Sequence, residues 1–527
     1  MGELPRRHIL RGTAVAGGAA ALTGLGGTAA ARPRRIDPPV PGPVTVVPAD
    51  PRYASMNKSY NGRFTPRPDA VRAAYSAEQV LQAVDEAVRT GKQIAVRSGG
   101  HCYEDFVTSP DVKIVLDVSQ MNEVSFDPEH QAFAVESGAT LGQVYKSLYY
   151  GWGVTIPGGS CPSVGVGGHI AGGGYGTLSR RYGMVVDHLY GVDLVVVDKN
   201  GKARRVVATR RADDPHRDLW WAHTGGGGGN FGVVLRYLLR SPQARGKDPS
   251  TLLPTPPATA PGLAVTWQWA DVDERAFTTL VRNHGTWHER HPRSPVSSSL
   301  ALSHRAAGQF QLHVGVDAEQ PEATQLMDAY VKDVTGGVGA PAATTRSDQP
   351  WLTATLGAET YAGGTPFKSK AGFLRRRWTD RQIAVVHKHL NDGDQRWGAS
   401  VHVTSFGGTI NTVAPDATAF PHRDALFSVS YDLYWADPAD TEEINWIRRF
   451  YQEVYADTGG VPVPGDANSG AYVNYPDADL ADPRWNTSDA PWHTLYYRAN
   501  YPRLQQIKAR WDPRNVFHHA LSVRPRA

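Results

Sequence analysis

Residues 157–176 read PGGSCPSVGVGGHIAGGGYG, and nine of these twenty residues are glycine. Glycine adopts φ > 0 and lets backbone approach a ligand without steric cost. The stretch therefore reads as a bed for a ligand, with the thiol of Cys161 held inside it. About sixty residues upstream, Val96-Arg97-Ser98-Gly99-Gly100-His101-Cys102 forms another glycine turn, directly behind a predicted strand. Two glycine turns that each present a nucleophilic side chain, His101 and Cys161, predict one cofactor gripped at two points. The alternative use of the thiols is a disulfide between Cys102 and Cys161.

The pair RSGGH and GSCPSVGVGGHIAGGGYG resembles the berberine-bridge-enzyme-like branch of the vanillyl-alcohol-oxidase flavoprotein family. The resemblance implies an α+β fold: a two-part FAD-binding domain with an inserted substrate domain of antiparallel sheet plus helices. It implies FAD bound covalently through His101 at the 8α-methyl and Cys161 at C6 of the ring, leaving Cys102 a free thiol. It assigns the backbone N–H groups of Arg97, Ser98, Gly99 and Gly100 to the pyrophosphate, a nest-like anion site. Gly165, Gly167, Gly168 and His169 are expected along the ring and ribityl chain, with Gly158, Gly159, Val164, Gly173 and Gly174 also in the cofactor site. Val166 is expected beside the oxygen-reactive face. A third glycine run, 225–229, enters a predicted strand through Asn230, Phe231, Gly232, Val233 and Val234, which also match the flavin domain. Asn474 and Asn515 are expected to reach the cofactor from the C-terminal segment.

For the chemistry, the resemblance points to Tyr475 of YVNYPD as the base for a substrate hydroxyl, with Tyr472 the second candidate. A free tyrosine has a pKa near 10, so this role calls for a neighbouring cation or N–H group to stabilise the phenolate. Tyr175, which follows the last glycine triplet of the bed, is expected to touch substrate. Ser430 stands where the alkaloid-forming members carry a carboxylate. That departure argues against oxidative ring closure and for plain alcohol oxidation. Asp432 and Tyr434 share strand parity with Ser430 and are expected in the same pocket.

The 527-residue length predicts at least two domains. Arg6-Arg7 ahead of a Gly/Ala-rich stretch reads as a twin-arginine export signal over residues 1–31, implying a secreted bacterial protein. That stretch is too weakly apolar for a stable membrane span. Proline-rich residues 32–50 read as a linker, 51–245 as the FAD-binding domain, 255–458 as the substrate domain and 460–527 as the return to the FAD-binding domain. Ser76-Ala-Glu-Gln79 and Thr140-Leu-Gly-Gln143 are capping boxes that open helices. Asn200-Gly201 predicts a hairpin turn.

Other chemistries lack their motifs. No GxGxxG opens a helix after the first strand, and no GxxxxGK[ST], GxSxG or HExxH is present. No metal site is predicted, since His387/His389 and His518/His519 are too close in sequence to share a helical face. A formal charge of +4 is too small and scattered for a nucleic-acid partner. The reading is a secreted FAD oxidase that takes hydride from an alcohol carbon of a sugar, free or on a natural product, and reduces O2 to H2O2. Within the branch the chain is similar to actinobacterial carbohydrate and hexose oxidases, including those of glycopeptide antibiotics. The alternatives are a dehydrogenase of the same fold, an oxidase of a non-sugar metabolite alcohol, and a non-catalytic glycan-binding protein. Oligomeric state has no signature in the sequence.

Overall fold

The computed structural model describes residues 42–526, apart from 318, 320, 358–362 and 394–395. The export-signal reading of residues 1–31, and the linker reading as far as residue 41, lie outside the described residues.

Two sheets form the cofactor half. The first contains β1 (Val44–Val46), β2 (Ala70–Ala73), β3 (Ile94–Arg97) and β4 (Ile114–Asp117), in the order β1-β2-β4-β3. β2, β4 and β3 run parallel, and β1 is antiparallel at the edge. β1 corrects the linker reading of residues 42–50. Val46 is fully buried in a cluster with Val71 and Val115, and that apolar pairing outweighs the prolines around it. The second sheet contains β5 (Val124–Asp127), β6 (Ala132–Glu136), β7 (Leu189–Val197), β8 (Ala203–Thr209) and β9 (Val233–Leu239), in the order β5-β6-β9-β7-β8, all antiparallel. The β7–β8 hairpin turns at Asn200-Gly201 as expected.

Helix Ala77–Thr90 joins the two sheets. Ser76 accepts the Gln79 N–H at its start, and Gly91 closes it in the left-handed conformation. Its apolar face, Val80, Ala83, Val84 and Ala87, packs with Ile114 and Leu116 of β4 and with Val195 and Val197 of β7.

Between β9 and the C-terminal segment lies an eight-stranded sheet. Its strands are β10 (Thr259–Gln268), β11 (Ser297–Ser303), β12 (Gln309–Gly315), β13 (Ala343–Pro350), β14 (Phe367–Leu374), β15 (Ala399–Ser405), β16 (Phe427–Tyr434) and β17 (Asn468–Gly470), ordered β13-β10-β12-β11-β15-β16-β14-β17. All its pairs are antiparallel. Side chains alternate between faces with period two. On β15, Val401 and Val403 are buried while Ser400, His402 and Thr404 are half-buried. The apolar face is covered by helices: Phe277 of Glu274–Arg290 meets Phe310 edge-on, and Tyr451 of Thr441–Val454 donates to Ala371 O. The opposite face is polar. Among the described residues no helix is long and apolar enough to cross a membrane.

The C-terminal segment runs from β17 back to the third glycine run. Lys508 is fully buried and donates to Asn230 O at 2.6 Å, to Phe517 O at 2.5 Å and to Asp512 Oδ2 at 2.6 Å. Asp512 also accepts the N–H groups of Val516 and Phe517. This one ion pair staples the chain end to the glycine loop. Removing one partner of a buried pair strands the other charge. Lys508→Met is therefore expected to cost about 3–5 kcal/mol of stability, measured by denaturant unfolding.

Candidate active site

The turn after β3 and the glycine bed meet backbone to backbone. A Cβ on Gly99 would fall 2.3 Å from Gly165 N, and a Cβ on Gly165 would fall 2.2 Å from Gly99 N. No side chain fits at either position. Beside this contact opens a cavity of about 730 Å³, the size of a ligand site. A Cβ added at Gly168 would meet nothing within 4 Å, and one at Gly228 would meet only Gly168 Cα at 3.9 Å. The bed and the third glycine run thus flank a slot that is open because side chains are missing from both walls.

His101 and Cys161 converge at one end of the cavity. Ser163 Oγ lies 3.0 Å from His101 Nε2 and 3.5 Å from Cys161 Sγ. Tyr60 stacks on the His101 ring at 3.8 Å. Cys102 and Cys161 form no disulfide, and burial pushes the Cys102 thiol up to about 12. Arg97, Ser98, Gly99 and Gly100 line the cavity, but the Arg97 guanidinium turns away to Asp117 and Met56 O. Gly159, Val164, Gly165, Gly167 and Gly168 also line it. His169 lines it too, with Nε2 accepting from Gly159 N at 3.2 Å, and burial depresses its pKa to about 4.

Several expected cofactor positions do not line the cavity. Val166 is fully buried in the main core, because the short helix Val166–Ala171 turns it inward. Val164, two residues earlier, is the valine on the cavity wall. Gly158 lies behind the bed, where a Cβ would strike the Tyr145 hydroxyl. Gly173 faces Met184 and Phe420, and Gly174 donates its N–H to Tyr472 Oη. Asn230, Phe231, Gly232 and Val234 line the cavity, whereas Val233 points into the core with helix Ala77–Thr90. Asn230 holds its own loop, donating to Gly226 O and Gly227 O. Asn474 lines the cavity and donates to His169 O at 2.9 Å. Asn515, with φ +51, shapes the turn after Asp512 and stays outside.

The tyrosines gather in the same cavity as His101 and Cys161. Tyr475 Oη lies 3.4 Å from Tyr175 Oη, which lies 2.8 Å from Ser428 Oγ. Tyr103 stacks parallel to Tyr475, 5.5 Å between ring centroids. Burial pushes the pKa of Tyr475 well up, and the neighbouring Tyr175 and Tyr103 add to the shift. The partner of the Tyr475 hydroxyl is thus another hydroxyl, where the sequence reading expected a cation or N–H group. Tyr472 is held, as acceptor from Gly174 N and from Asn474 Nδ2 at 3.0 Å, so its hydroxyl is already engaged.

Ser428 leads into a row across four strands of the polar face. Ser428, Thr404, Ser299 and His313 stand directly opposite one another on β16, β15, β11 and β12. Ser299 Oγ and Thr404 Oγ1 are hydrogen-bonded at 2.9 Å. Thr404, Ser299 and His313 line the cavity. Burial and the nearby His402 lower the His313 pKa, so that imidazole is neutral near neutral pH. Arg180 also lines the cavity, with Nη1 and Nη2 donating to the carbonyls of Phe406, Pro292 and Ser294. Ser430, Asp432 and Tyr434 share the Ser428 face of β16, as parity predicted, yet none of them lines the cavity. Asp432 is tied to Ser430 Oγ and Ser369 Oγ, and Tyr434 stacks on Phe367. Sequence reasoning missed Tyr60, Tyr103, Ser163 and Ser428. Only Ser163 carried a local signal, its place in the cysteine motif.

Glycine walls around a slot, with an antiparallel sheet over it, define an FAD-linked oxidoreductase. Residues 68–206 match the FAD binding domain family, and residues 471–524 match the berberine and berberine-like family. The chain is 50% identical to the aclacinomycin-N/aclacinomycin-A oxidase of Streptomyces galilaeus, over 100% of this chain and 99% of that protein. It is 31% identical to the hexose oxidase of Chondrus crispus, over 90% of this chain and 93% of that one. The crystal structure of glycopeptide hexose oxidase DBV29 complexed with teicoplanin superposes with a TM-score of 0.89 at 51% identity, covering 92% of this chain and 99% of that one. The chain belongs to the berberine-bridge-enzyme-like FAD-linked oxidases and is itself an oxidase of CH–OH groups with O2.

The slot can be tested without a substrate. Gly168→Leu is expected to fold with the Tm of the flavin-free wild type and to lose bound FAD, read from the visible flavin absorbance. Gly99→Ala is expected to lose about 1–3 kcal/mol of stability or more, the scale of overpacking, because backbone and not a flexible side chain blocks its Cβ.

Proposed function

We propose that this oxidase acts on a sugar hydroxyl of a glycosylated small molecule, with FAD held covalently through His101 and Cys161. The observation that carries the reading is the Tyr475–Tyr175–Ser428 hydroxyl chain, which adjoins the polar row of Thr404, Ser299 and His313. Hydroxyls both donate and accept, so this wall complements a neutral polyol. No carboxylate lines the cavity to meet an ammonium, and the Arg180 guanidinium is held by main-chain carbonyls. The relatives named above, one an oxidase of aclacinomycins and one bound to teicoplanin, support a glycosylated substrate. The convergence of His101 and Cys161 on Ser163 supports two bonds to one ring.

When bound, FAD supplies the hydride acceptor and passes the electron pair to O2. The protein's own part is to position the carbinol and move its proton. Tyr475 is disfavoured as a resting phenolate by its burial. It takes the substrate hydroxyl proton as it hands its own to Tyr175, Tyr175 hands its own to Ser428, and Ser428 releases one to water, so that each hydroxyl ends neutral. Tyr103 holds the Tyr475 ring flat during the transfer. Ser430 stands in place of a carboxylate, and Asp432, the carboxylate of that strand, is bound by Ser430 and Ser369 outside the cavity lining, which argues against ring closure.

The twin-arginine pattern supports export of the folded, flavin-loaded enzyme. Lysine at both Arg6 and Arg7 is expected to keep the protein in the cell fraction of a bacterial host.

Denatured enzyme is expected to retain its flavin on the gel band. Cys161→Ala and His101→Ala should each leave one bond, and the double variant should release the flavin. Tyr475→Phe is expected to lower kcat by about 10²–10⁴-fold, the scale of a positioned general base. Oxygen consumption with glycosides but not with their aglycones would support the substrate class; the reverse would overturn it.

A further inference from the structure

Behind the Tyr103–Tyr475 stack lies a buried charge network that the chemistry above does not use. Lys368 and Lys370 both point from β14 away from the cavity face, and each is about 1–2% exposed. Lys368 Nζ donates to Glu104 Oε1 and, at 2.6 Å, to Asp477 Oδ1. Lys370 Nζ donates to Asp477 Oδ2 at 2.6 Å and to Asp479 Oδ2 at 2.9 Å. Arg448, at the more exposed end, pairs with Asp479. Three cations thus meet three carboxylates, and the network is neutral as a whole.

Its placement is specific. Glu104 directly follows Tyr103, and Asp477 follows Tyr475 by two residues. One ammonium therefore bonds the carboxylate behind each ring of the stack. On the other face of the same strand, Phe367 meets the Tyr103 ring edge-on at 5.0 Å. β14 therefore holds the pair from both of its faces. Burying six charges is costly, and well-packed apolar residues would serve stability as well or better. Their retention is accounted for by the register they impose between two segments almost 400 residues apart.

We infer that Lys368 is a positioning residue: it clamps the His101 loop to the Tyr475 segment through Glu104 and Asp477, fixing the Tyr475 hydroxyl. The inference rests on the reading of Tyr475 as the proton acceptor.

In the flavin-loaded enzyme, Lys368→Met is expected to lower kcat about 10²-fold, as for a misplacement on the order of 1 Å, with KM changed far less. Lys368→Arg should restore most of kcat. Arg448→Gln, which touches neither Glu104 nor Asp477, should lower Tm while leaving kcat within about twofold. Should Lys368→Met fail to fold, Glu104→Gln keeps the side-chain size and tests the same tie, with an expected loss of about tenfold. Crystal structures of the folded variants should show Tyr475 out of its parallel stack. Unchanged kcat in the folded variants, or lost kcat with the stack intact, overturns the clamp. Full activity of Tyr475→Phe would instead overturn the base assignment, whereas an inactive Tyr475→Phe beside an active Lys368→Met overturns the clamp alone.

Discussion

The contact between Gly99 and Gly165 is the constraint on which the site depends. Two turns from different parts of the cofactor half approach until only hydrogen fits between their backbones. That approach sets His101 and Cys161 on either side of Ser163. It also fixes the height of the slot between the bed and the third glycine run. Any side chain at the contact would push the turns apart and separate the two nucleophiles from one ring. Glycine serves opposite ends in the two places: at Gly99 and Gly165 it closes a gap, and at Gly168 it keeps one open.

Charge is sorted by face. Cavity walls on the sheet side carry hydroxyls, an imidazole held neutral and an arginine already satisfied by carbonyls. A network of six charges sits behind β14, paired and neutral overall. A low-dielectric site strengthens every interaction inside it, so an unpaired charge beside the flavin would dominate substrate choice. Confining the charges behind the strand leaves hydrogen bonding to select the substrate. It also explains why the tyrosines stay protonated: each is buried, and the neighbours of Tyr475 are other phenols.

The two halves of the molecule meet through main-chain bonds, such as Gly62 N to Thr365 O and Phe420 N to Thr224 O, and through side chains. Tyr175, from the bed, reaches Ser428 of the eight-stranded sheet, and Tyr475, from the C-terminal segment, reaches Tyr175. Lys508 ties that same segment to the third glycine run. The site is assembled from four stretches of chain, each fixed by at least one buried polar bond.

The sequence by itself determined the local features. The glycine spacings, capping residues and the Asn-Gly turn act within a few residues, through allowed φ and hydrogen bonds to nearby backbone. The positions of His101, Cys161 and the three glycine runs were therefore legible, with FAD as the cofactor, Tyr475 and Tyr175 added by resemblance. Tertiary structure alone decided what depends on distant contacts. A helical turn of the bed buries Val166 and leaves Val164 on the cavity wall. A three-residue strand inside a proline-rich stretch forms because Val46 finds Val71 and Val115. Strand parity put Ser430, Asp432 and Tyr434 on the Ser428 face, but the cavity lining stops at Thr404 of the neighbouring strand, and the sequence contains no measure of where a cavity ends. Tyr103 meets Tyr475, and Lys368 meets Glu104 and Asp477, across hundreds of residues. No local pattern encodes such meetings, because their energy exists only once burial has removed the water between them.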